Sequence, residues 1–395
     1  MRMTGLCVVL GVLLLGFVAA EGNVTDASTT GATVASTTGS LDGPLKWGIV
    51  AAGKISNDWA AALASLPKEE HQMVAIAARD AGRAADFAKT FNIPKSYGSY
   101  AELAKDPNVN IVYIGTIHPT HYEIVKMMLE NDKHVLCEKP MTLWVNHTEE
   151  LVQLAREKKK FLQEAVWSRF FPAYRTLRQV LKEEKIGEMK MVSAVMGIAM
   201  PNTPRLHRKH LGGGALMDLG SYTIQLAVAV FGNEMPETIK AVATLNNESV
   251  DTNLAMILQW KSGGIAQLSA SSLVLMNNDA MIFGTNGTIK LPGHFWCPDE
   301  IVYKRTTEGL QTLKHEKREF PKIDHKTNFK HGAGMVYQAQ EVHRSISNGF
   351  LESPLMTHDE SILFAKIEQE VKKQIGVTYQ DLYKDQKYCG ENCNV

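Results

Sequence analysis

Between residues 45 and 166, short apolar runs alternate with segments of helical periodicity, an order that few folds accommodate. Strands that are apolar on both faces need cover on both sides, and helices between them join neighbouring strands in parallel. The segment therefore predicts an α/β fold that begins with a doubly wound parallel sheet of the Rossmann type. Strands are expected at 45–51, 73–78, 109–115, 134–137 and 161–166, and helices at 56–66, 84–91, 120–130 and 148–159. A Ser99-x-x-Glu102 spacing predicts one more helix start, because such side chains form a capping box.

The first strand ends in a glycine-containing turn, residues 48–56, with the sequence GIVAAGKIS. Set against the G-x-G-x-x-G fingerprint of dinucleotide-binding domains, its three glycine positions hold Ala51, Gly53 and Ser56. Gly53 occupies the central position, where the lack of a side chain lets the backbone approach a pyrophosphate at a helix N-terminus. The turn predicts a dinucleotide site, and a tight turn kept for packing alone is the alternative.

The end of the second strand bears on the choice of cofactor. It reads Ala78-Arg79-Asp80, and Arg83 follows one helical turn later. Domains that bind NAD usually place an acidic residue at this strand end to hold the ribose hydroxyls, whereas guanidinium groups fork onto a 2'-phosphate. We therefore predict NADP, with a solvated pair of surface arginines as the alternative.

Candidate chemistry follows the fourth predicted strand, where the sequence reads Cys137-Glu138-Lys139-Pro140. This is the sheet edge at which doubly wound folds bind their ligands. Near a nicotinamide, the ammonium of Lys139 is expected to lower the pKa of a neighbouring proton-transfer group. An exposed lysine at a strand end is the alternative. His118 and His121 follow the third predicted strand at the same edge, either beside the nicotinamide or as ordinary loop histidines.

A second motif, residues 212–222 with the sequence GGGALMDLGSY, leads into an apolar helix at 223–231. Asp218 and Tyr222 are four residues apart and are expected to share one helical face. A buried carboxylate needs a partner, so a substrate hydroxyl is a candidate for Asp218, and helix capping is the alternative. Tyr222 has an ordinary pKa near 10 and needs help from a group such as Lys139 to act as a base near neutral pH.

The second half of the chain predicts an α+β domain with a large, mostly antiparallel open sheet. Strands with partial alternation are expected at 252–260, 264–273 and 280–284, and Gly-containing turns separate them. Helices are expected at 334–347 and 358–375. The predicted organisation is an NADP-binding domain at 45–166, a substrate-binding and dimerisation domain at 167–380 and a flexible tail at 381–395.

The N-terminal 44 residues indicate the secretory route. Arg2, the apolar run 6–20 and the small residues before Glu21 predict a cleaved signal peptide at 1–20, with a membrane anchor as the alternative. Residues 21–44 read as a flexible Ser/Thr-rich linker. Sequons stand at Asn23, Asn146, Asn247 and Asn286. Cys389 and Cys393 either form a disulfide or remain free thiols.

Charge and residue spacing argue against several classes of partner. The chain has 42 basic and 42 acidic side chains, whereas proteins that bind nucleic acid carry an excess of clustered cations. No zinc-ligand spacing occurs in the sequence, so no metal is expected. No later segment is expected to span a membrane.

Taken in this order, the GIVAAGKIS turn, Ala78-Arg79-Asp80, Cys137-Glu138-Lys139-Pro140 and GGGALMDLGSY resemble the glucose-fructose oxidoreductase and inositol dehydrogenase (Gfo/Idh/MocA) superfamily. Further matching features are WSRFFP at 167–172, FWCP at 295–298 and GAGM at 332–335. The resemblance implies an NADP-dependent dehydrogenase that oxidises a trans-dihydrodiol or an aldose such as D-xylose by hydride transfer to the nicotinamide. It also implies a homodimer formed through one face of the large sheet.

The same resemblance implies roles for individual residues. Tyr222 stands where many members have His and is implied to be the general acid/base, assisted by Lys139. Asp218 is implied to orient the substrate. The implied aromatic wall of the substrate pocket is Trp167, Trp296 and Phe329, and the implied cofactor-binding residues are Gly53, Ile55, Arg79, Arg83, His118 and Glu138.

The secretory signal departs from this pattern, because the familiar relatives are cytosolic and use a cytosolic NADP pool. Two alternatives therefore stay open. One is a secreted dinucleotide-binding protein without turnover, and the other is a non-redox lyase or hydrolase that recycles a bound nicotinamide.

Overall fold

A computed structural model describes residues 43–307 and 310–384. The predicted signal peptide, the linker up to residue 42 and the tail from residue 385 lie outside the described residues. The sequon at Asn23 and the question of a Cys389–Cys393 disulfide lie outside them as well. Cys137 and Cys297 are free and buried.

The first domain is a parallel sheet with helices between its strands. The strands are β1 (Leu45–Val50), β2 (His71–Ala77), β3 (Lys95–Tyr97), β4 (Ile111–Ile114), β5 (His134–Glu138) and β6 (Leu162–Ala165). The helices are α1 (Lys54–Ala64), α2 (Ala81–Phe91), α3 (Tyr100–Ala104), α4 (His121–Glu130) and α5 (Val145–Lys158). All six strands are parallel, in the order β3-β2-β1-β4-β5-β6. The predicted doubly wound sheet is confirmed.

Local side-chain chemistry begins two of these helices. The carboxylate of Asp80 accepts a hydrogen bond from the backbone N–H of Arg83 and caps α2. The predicted capping box at Ser99 and Glu102 is present and begins α3.

One strand of this parallel sheet was not predicted from the sequence. Strand β3 has three residues, Lys95, Ser96 and Tyr97, none of them fully buried, so it lacks an apolar run. Its addition makes the strand before Cys137-Glu138-Lys139-Pro140 the fifth of the sheet, not the fourth as predicted. The motif nevertheless lies at the carboxyl edge of the sheet, where ligands bind.

The second domain contains an eight-stranded sheet. Its strands are β7 (Met189–Gly197), β8 (Thr238–Leu245), β9 (Asp251–Gln259), β10 (Ile265–Ser271), β11 (Ala280–Gly284), β12 (Gly287–Leu291), β13 (Glu300–Thr307) and β14 (Leu310–Lys317). They lie in the order β14-β13-β12-β11-β7-β10-β9-β8. Pairing is antiparallel except between β7 and β10, which run parallel in the middle of the sheet. The prediction of a mostly antiparallel sheet is confirmed.

Helices cover one face of this sheet and connect the domains. They are α6 (Pro172–Lys182), α7 (Pro204–His207), α8 (Ser221–Phe231), α9 (Met335–Ser347), α10 (His358–Ile375) and α11 (Asp381–Lys384). Helix α8 packs on β7 and β10, and α10 contacts both α8 and α5 of the first domain. The domains are therefore held together along α10.

One described run is long and apolar enough to cross a membrane, although none was expected. This run, Lys209–Phe231, includes α8, and 72% of its most apolar window is buried inside the protein. Such burial is typical of a core helix.

Candidate active site

Lys139 follows β5 directly. Its side chain is buried and contacts the second domain. Its ammonium Nζ donates to the backbone carbonyl oxygen of Asp218 at 2.5 Å and lies 3.5 Å from Asp218 Oδ1. The loop that carries Lys139 is fixed by two side chains. His121 Nδ1 lies 2.9 Å from the carbonyl oxygen of Pro140, and Glu164 accepts the N–H of Met141 at 2.9 Å.

The second motif turns sharply before it enters α8. A single π-helical turn, Leu216–Gly220, carries Asp218, and α8 begins at the next residue. Gly214 has φ +144°, and a Cβ there would lie 2.6 Å from Asp251 Oδ1, so this position requires glycine. Asp251 in turn accepts the N–H of Leu216 at 2.6 Å. These contacts set the direction in which Asp218 and Tyr222 point.

Asp218 is held by two cations from different elements. Arg205 on α7 binds it in a bidentate manner, with Nη1 2.7 Å from Oδ1 and Nη2 3.2 Å from Oδ2. Burial alone would raise the pKa of Asp218, but Lys139 and Arg205 lower it well below its usual range. The expected partner, a substrate hydroxyl, is therefore not needed to keep this carboxylate ionised.

Tyr222 lies between Lys139 and Trp167. Lys139 Nζ is 4.6 Å from the centroid of the Tyr222 ring, and Trp167 Nε1 donates to the phenolic oxygen at 3.0 Å. Burial raises the pKa of Tyr222 well above its usual value, and the charges of Glu138 and Asp218 raise it further. The pKa of Tyr222 is therefore raised overall, because burial and the two carboxylates outweigh the hydrogen bond from Trp167, and assistance by Lys139 stays a prediction.

Glu138 is the last residue of β5, lies beside Lys139 and is half-buried. It accepts a hydrogen bond of 2.6 Å from the hydroxyl of Tyr113 on β4, and the Tyr113 ring stacks on Trp59 of α1 at 4.7 Å. Burial raises the pKa of Glu138 to about 7, although Tyr113 and Lys139 act against that rise. Glu138 is thus a half-buried acid with a pKa raised to about 7, next to the candidate catalytic lysine.

The three predicted wall aromatics do not share one environment. Trp167 bonds to Tyr222, and the ring of Trp296 lies 6.5 Å from the Tyr222 ring. Phe329 instead lies on the segment that crosses α1, where its N–H donates to Asp58, and it is 38% exposed. The structure therefore brings two of the aromatics to the tyrosine and places the third against the first helix.

The turn after β1 fits a dinucleotide. Gly53 is the N-cap of α1, and a Cβ built on it would meet only the carbonyl oxygen of Gly115, at 3.8 Å. The helix N-terminus is thus open to an anion, and its N–H groups suit a pyrophosphate. Ala51 adopts φ +76°, a left-handed conformation that the fingerprint normally gives to glycine. Ile55 is half-buried behind the turn.

Of the predicted arginines and His118, only Arg83 has a hydrogen bond to this turn among the described residues. Arg83 Nη2 donates to the carbonyl oxygen of Ala52 at 2.8 Å, and Arg79 is exposed at the end of β2. His118 Nδ1 lies 3.1 Å from the carbonyl oxygen of Gly212, which links the two domains. Burial and the nearby His121 lower the pKa of His118 to about 3, so its ring is neutral at physiological pH.

Arg205 is the site residue that sequence reasoning missed. Its partner Asp218 was singled out, but Arg205 stands in an irregular segment with no periodicity or motif that points to it. The requirement that a buried carboxylate has a partner was the available signal, and it did not say which residue fills that role. In the described part of the chain, no cluster of His, Cys, Asp and Glu suits a metal ion.

Comparison with known proteins identifies the family. A family model for oxidoreductases with an NAD-binding Rossmann fold matches residues 45–166, and the model of the GFO/IDH/MocA C-terminal domain matches residues 174–290. The chain belongs to the Gfo/Idh/MocA oxidoreductase family. The resemblance inferred from the sequence motifs is confirmed.

Relatives within the family are enzymes of one name. A trans-1,2-dihydrobenzene-1,2-diol dehydrogenase of Xenopus tropicalis is 43% identical over 334 residues, which cover 85% of this chain and 99% of the relative. The Homo sapiens protein of the same name is 42% identical over 335 residues, with 85% and 98% covered. Both relatives are therefore matched over nearly their whole length.

Solved structures of the family share the fold. The 3-ketoreductase KijD10 of Actinomadura kijaniata, in complex with NADP and TDP-benzene, has a TM-score of 0.72 at 22% identity over 84% of this chain and 98% of its own. A levoglucosan dehydrogenase in complex with NADH and levoglucosan has a TM-score of 0.74 at 19% identity over 84% and 97%. One of these complexes holds NADP and the other NADH.

Proposed function

We propose that this oxidoreductase uses NADP to oxidise a trans-dihydrodiol or an aldose such as D-xylose, with Tyr222 as general acid/base assisted by Lys139. The observation that supports this most is the convergence of Lys139, Tyr222 and Asp218 at the carboxyl edge of the parallel sheet. The names of the relatives support a dihydrodiol as one substrate class. Asp218 is proposed to orient the substrate.

In this proposal the residues bind the substrate and move its proton. The bound cofactor supplies the hydride acceptor, and the open N-terminus of α1 with Gly53 holds its pyrophosphate. Tyr222 takes the proton of the reacting hydroxyl. Because burial raises the pKa of Tyr222, the phenol form dominates near neutral pH. Oxidation is therefore expected to speed up as the pH rises, whereas reduction, which needs the proton on Tyr222, is not.

The substrate assignment is tested with a panel of aldoses and trans-dihydrodiols offered to the purified protein with NADP+ and NAD+ separately. Absorbance at the nicotinamide band measures net NADPH. Turnover of at least one diol or aldose supports the dehydrogenase. Tight dinucleotide binding without turnover of any member favours the silent binding protein, and product formation without net NADPH favours the lyase or hydrolase.

We predict that the double replacement Arg79→Ala with Arg83→Ala raises KM for NADP+ by about 10- to 100-fold, because each charge-assisted hydrogen bond to a 2'-phosphate is worth about tenfold. KM for NAD+ should change by less than about threefold, since NAD+ lacks that phosphate. Initial rates with both cofactors measure the effect. Lys89→Ala, an exposed cation on α2, the helix that carries Arg83, is the matched control. An equal change for both cofactors would contradict the assignment.

We propose that the open face of the large sheet binds a second copy of the chain. Val242 and Ile257 point away from the helices and are 71% and 40% exposed. Three half-exposed apolar side chains lie on the same face beyond β10, on β7 and β11: Met191, Met281 and Phe283. An apolar face of this kind is typical of an interaction surface.

The homodimer is tested by sedimentation. The variant Ile257→Asp places a charge in the proposed interface and should convert dimers to monomers at micromolar concentration. Met235→Asp introduces the same charge at an exposed apolar residue outside the sheet and should leave the dimer intact. A wild-type protein that sediments as a monomer would refute the proposal.

We also propose that the protein enters the secretory route. Asn146, Asn247 and Asn286 are all exposed, as N-linked glycans require. Mass spectrometry of protein collected from the medium of expressing eukaryotic cells would show the cleaved N-terminus and the glycans. Full-length, unmodified chain inside the cell would contradict it.

A further inference from the structure

Arg205 lies on the solvent side of the buried carboxylate. Its side chain is 38% exposed, whereas that of Asp218 is 10% exposed. Lys139, whose side chain is 9% exposed, contacts the same carboxylate oxygen, Oδ1, as Arg205 does. Arg205 is therefore the most solvent-accessible of the three side chains in this contact.

The backbone around Arg205 is fixed although the segment is irregular. Leu206, the next residue, is fully buried. His207 Nε2 lies 3.0 Å from the carbonyl oxygen of Met200, and Asn246 donates to the carbonyl oxygen of His207 at 2.9 Å. Arg205 is thus presented from a defined position, which suits recognition more than a mobile surface side chain would.

The pair offers both halves of a hydroxyl-binding site. A hydroxyl group donates one hydrogen bond and accepts others. Arg205 has five N–H donors, and the bidentate contact with Asp218 uses two of them. Among the described residues, Asp218 Oδ1 contacts Arg205 and Lys139, whereas Oδ2 contacts Arg205 alone and keeps acceptor capacity. One hydroxyl can therefore donate to Oδ2 while it accepts from Arg205.

We infer that Arg205 and Asp218 together bind the hydroxyl next to the reacting one, which makes Arg205 a specificity-determining residue for vicinal diols and aldoses over simple alcohols. The inference rests on the proposed function for the placement of the reacting hydroxyl at Tyr222. Lys139 contacts both Asp218 and the Tyr222 ring, so the two hydroxyl positions are neighbours. A site with buried polar groups rejects an analogue that lacks the matching hydroxyl, because those groups lose their partner.

Equilibrium binding tests the inference without the need for turnover. Isothermal titration calorimetry compares trans-1,2-cyclohexanediol with cyclohexanol, each added to protein saturated with NADPH. The wild-type protein should bind the diol at least about 30-fold more tightly than the alcohol. Arg205→Met should reduce that preference to about threefold or less while affinity for cyclohexanol is unchanged. Arg205→Lys keeps the charge without the fork and should lose most of the preference.

A matched control comes from the same segment. Arg208 is 57% exposed and faces Glu248 instead of the site, so Arg208→Met should keep the wild-type preference. Thermal unfolding of each variant shows whether it is folded, and Arg205→Lys remains informative if Arg205→Met is not.

Several results would overturn the inference: no measurable diol binding by the wild-type protein, no preference for the diol, or an equal loss of affinity for both compounds in the Arg205 variants. Turnover of the diol with NADP+ is then measured separately. Arg205-dependent diol binding without any oxidation would refute the proposed dehydrogenase and leave the hydroxyl site standing. Oxidation of the diol without an Arg205-dependent preference for it would support the proposed dehydrogenase and refute the hydroxyl site.

Discussion

Replacing Tyr222 with phenylalanine is expected to lower turnover of the diol or aldose by about 10²- to 10⁴-fold, the usual contribution of a positioned general acid/base. The change removes one oxygen atom, the one to which Trp167 donates at 3.0 Å, and leaves the ring beside Lys139. Single-turnover kinetics with NADP+ measure the chemical step. Titration with NADPH should show nearly unchanged affinity, because the dinucleotide turn lies on β1 and α1.

A second buried phenol separates loss of chemistry from loss of packing. Tyr303 on β13 is as enclosed as Tyr222 but lies in the outer part of the large sheet. Tyr303→Phe should therefore leave turnover within about twofold of wild type. Wild-type turnover in Tyr222→Phe would remove this phenol from the mechanism, and a matching loss of NADPH affinity would point to structural damage instead.

Much of the fold could be predicted because it depends on local periodicity. The predicted helices at 84–91, 120–130 and 358–375 overlap the observed α2, α4 and α10, since each has an apolar stripe and a start signal. The strand 280–284 coincides with β11. Strand β3 was not predicted, because an edge strand of three exposed or half-buried residues has no apolar pattern. The parallel pairing of β7 with β10 was not predicted, because the order of strands in a sheet is set by the topology of the chain and not by the residues of one strand.

Only the part of the candidate site that follows the parallel strands could be placed from the sequence alone. Lys139 could be assigned to the sheet edge because carboxyl ends of parallel strands meet there, and Asp218 could be expected to have a partner because it is a buried carboxylate. That the two belong to one site followed only from the family resemblance. The distribution of charge could not be read from the sequence. The partner of Asp218 depends on the segment around α7, which carries Arg205. The direction of the pKa shift of Tyr222 depends on how deeply its phenol is buried.

Replacing Lys139 with methionine is expected to reduce turnover by about 10²-fold or more and to move the pH profile of oxidation to higher pH. The ammonium favours the anionic forms of its neighbours, so its loss raises their pKa values. Two groups respond: Tyr222, whose pKa burial already raises, and Glu138, whose pKa burial raises to about 7 while Lys139 acts against that rise. The sign is the same for both, because each loses a nearby positive charge. Rates of oxidation between pH 6 and 10 measure the shift.

The direction of the shift distinguishes an electrostatic role from a structural one. Lys139 also donates to the carbonyl oxygen of Asp218, and loss of that bond alone would lower the rate at every pH without moving the profile. Lys139→Arg keeps a positive charge and should retain the position of the profile even if its larger head group lowers the rate. Lys126→Met, on the surface of α4, controls for removal of a charge from the same domain. A profile that stays in place in Lys139→Met would show that Lys139 holds the backbone of Asp218 and does not tune the proton transfer by Tyr222.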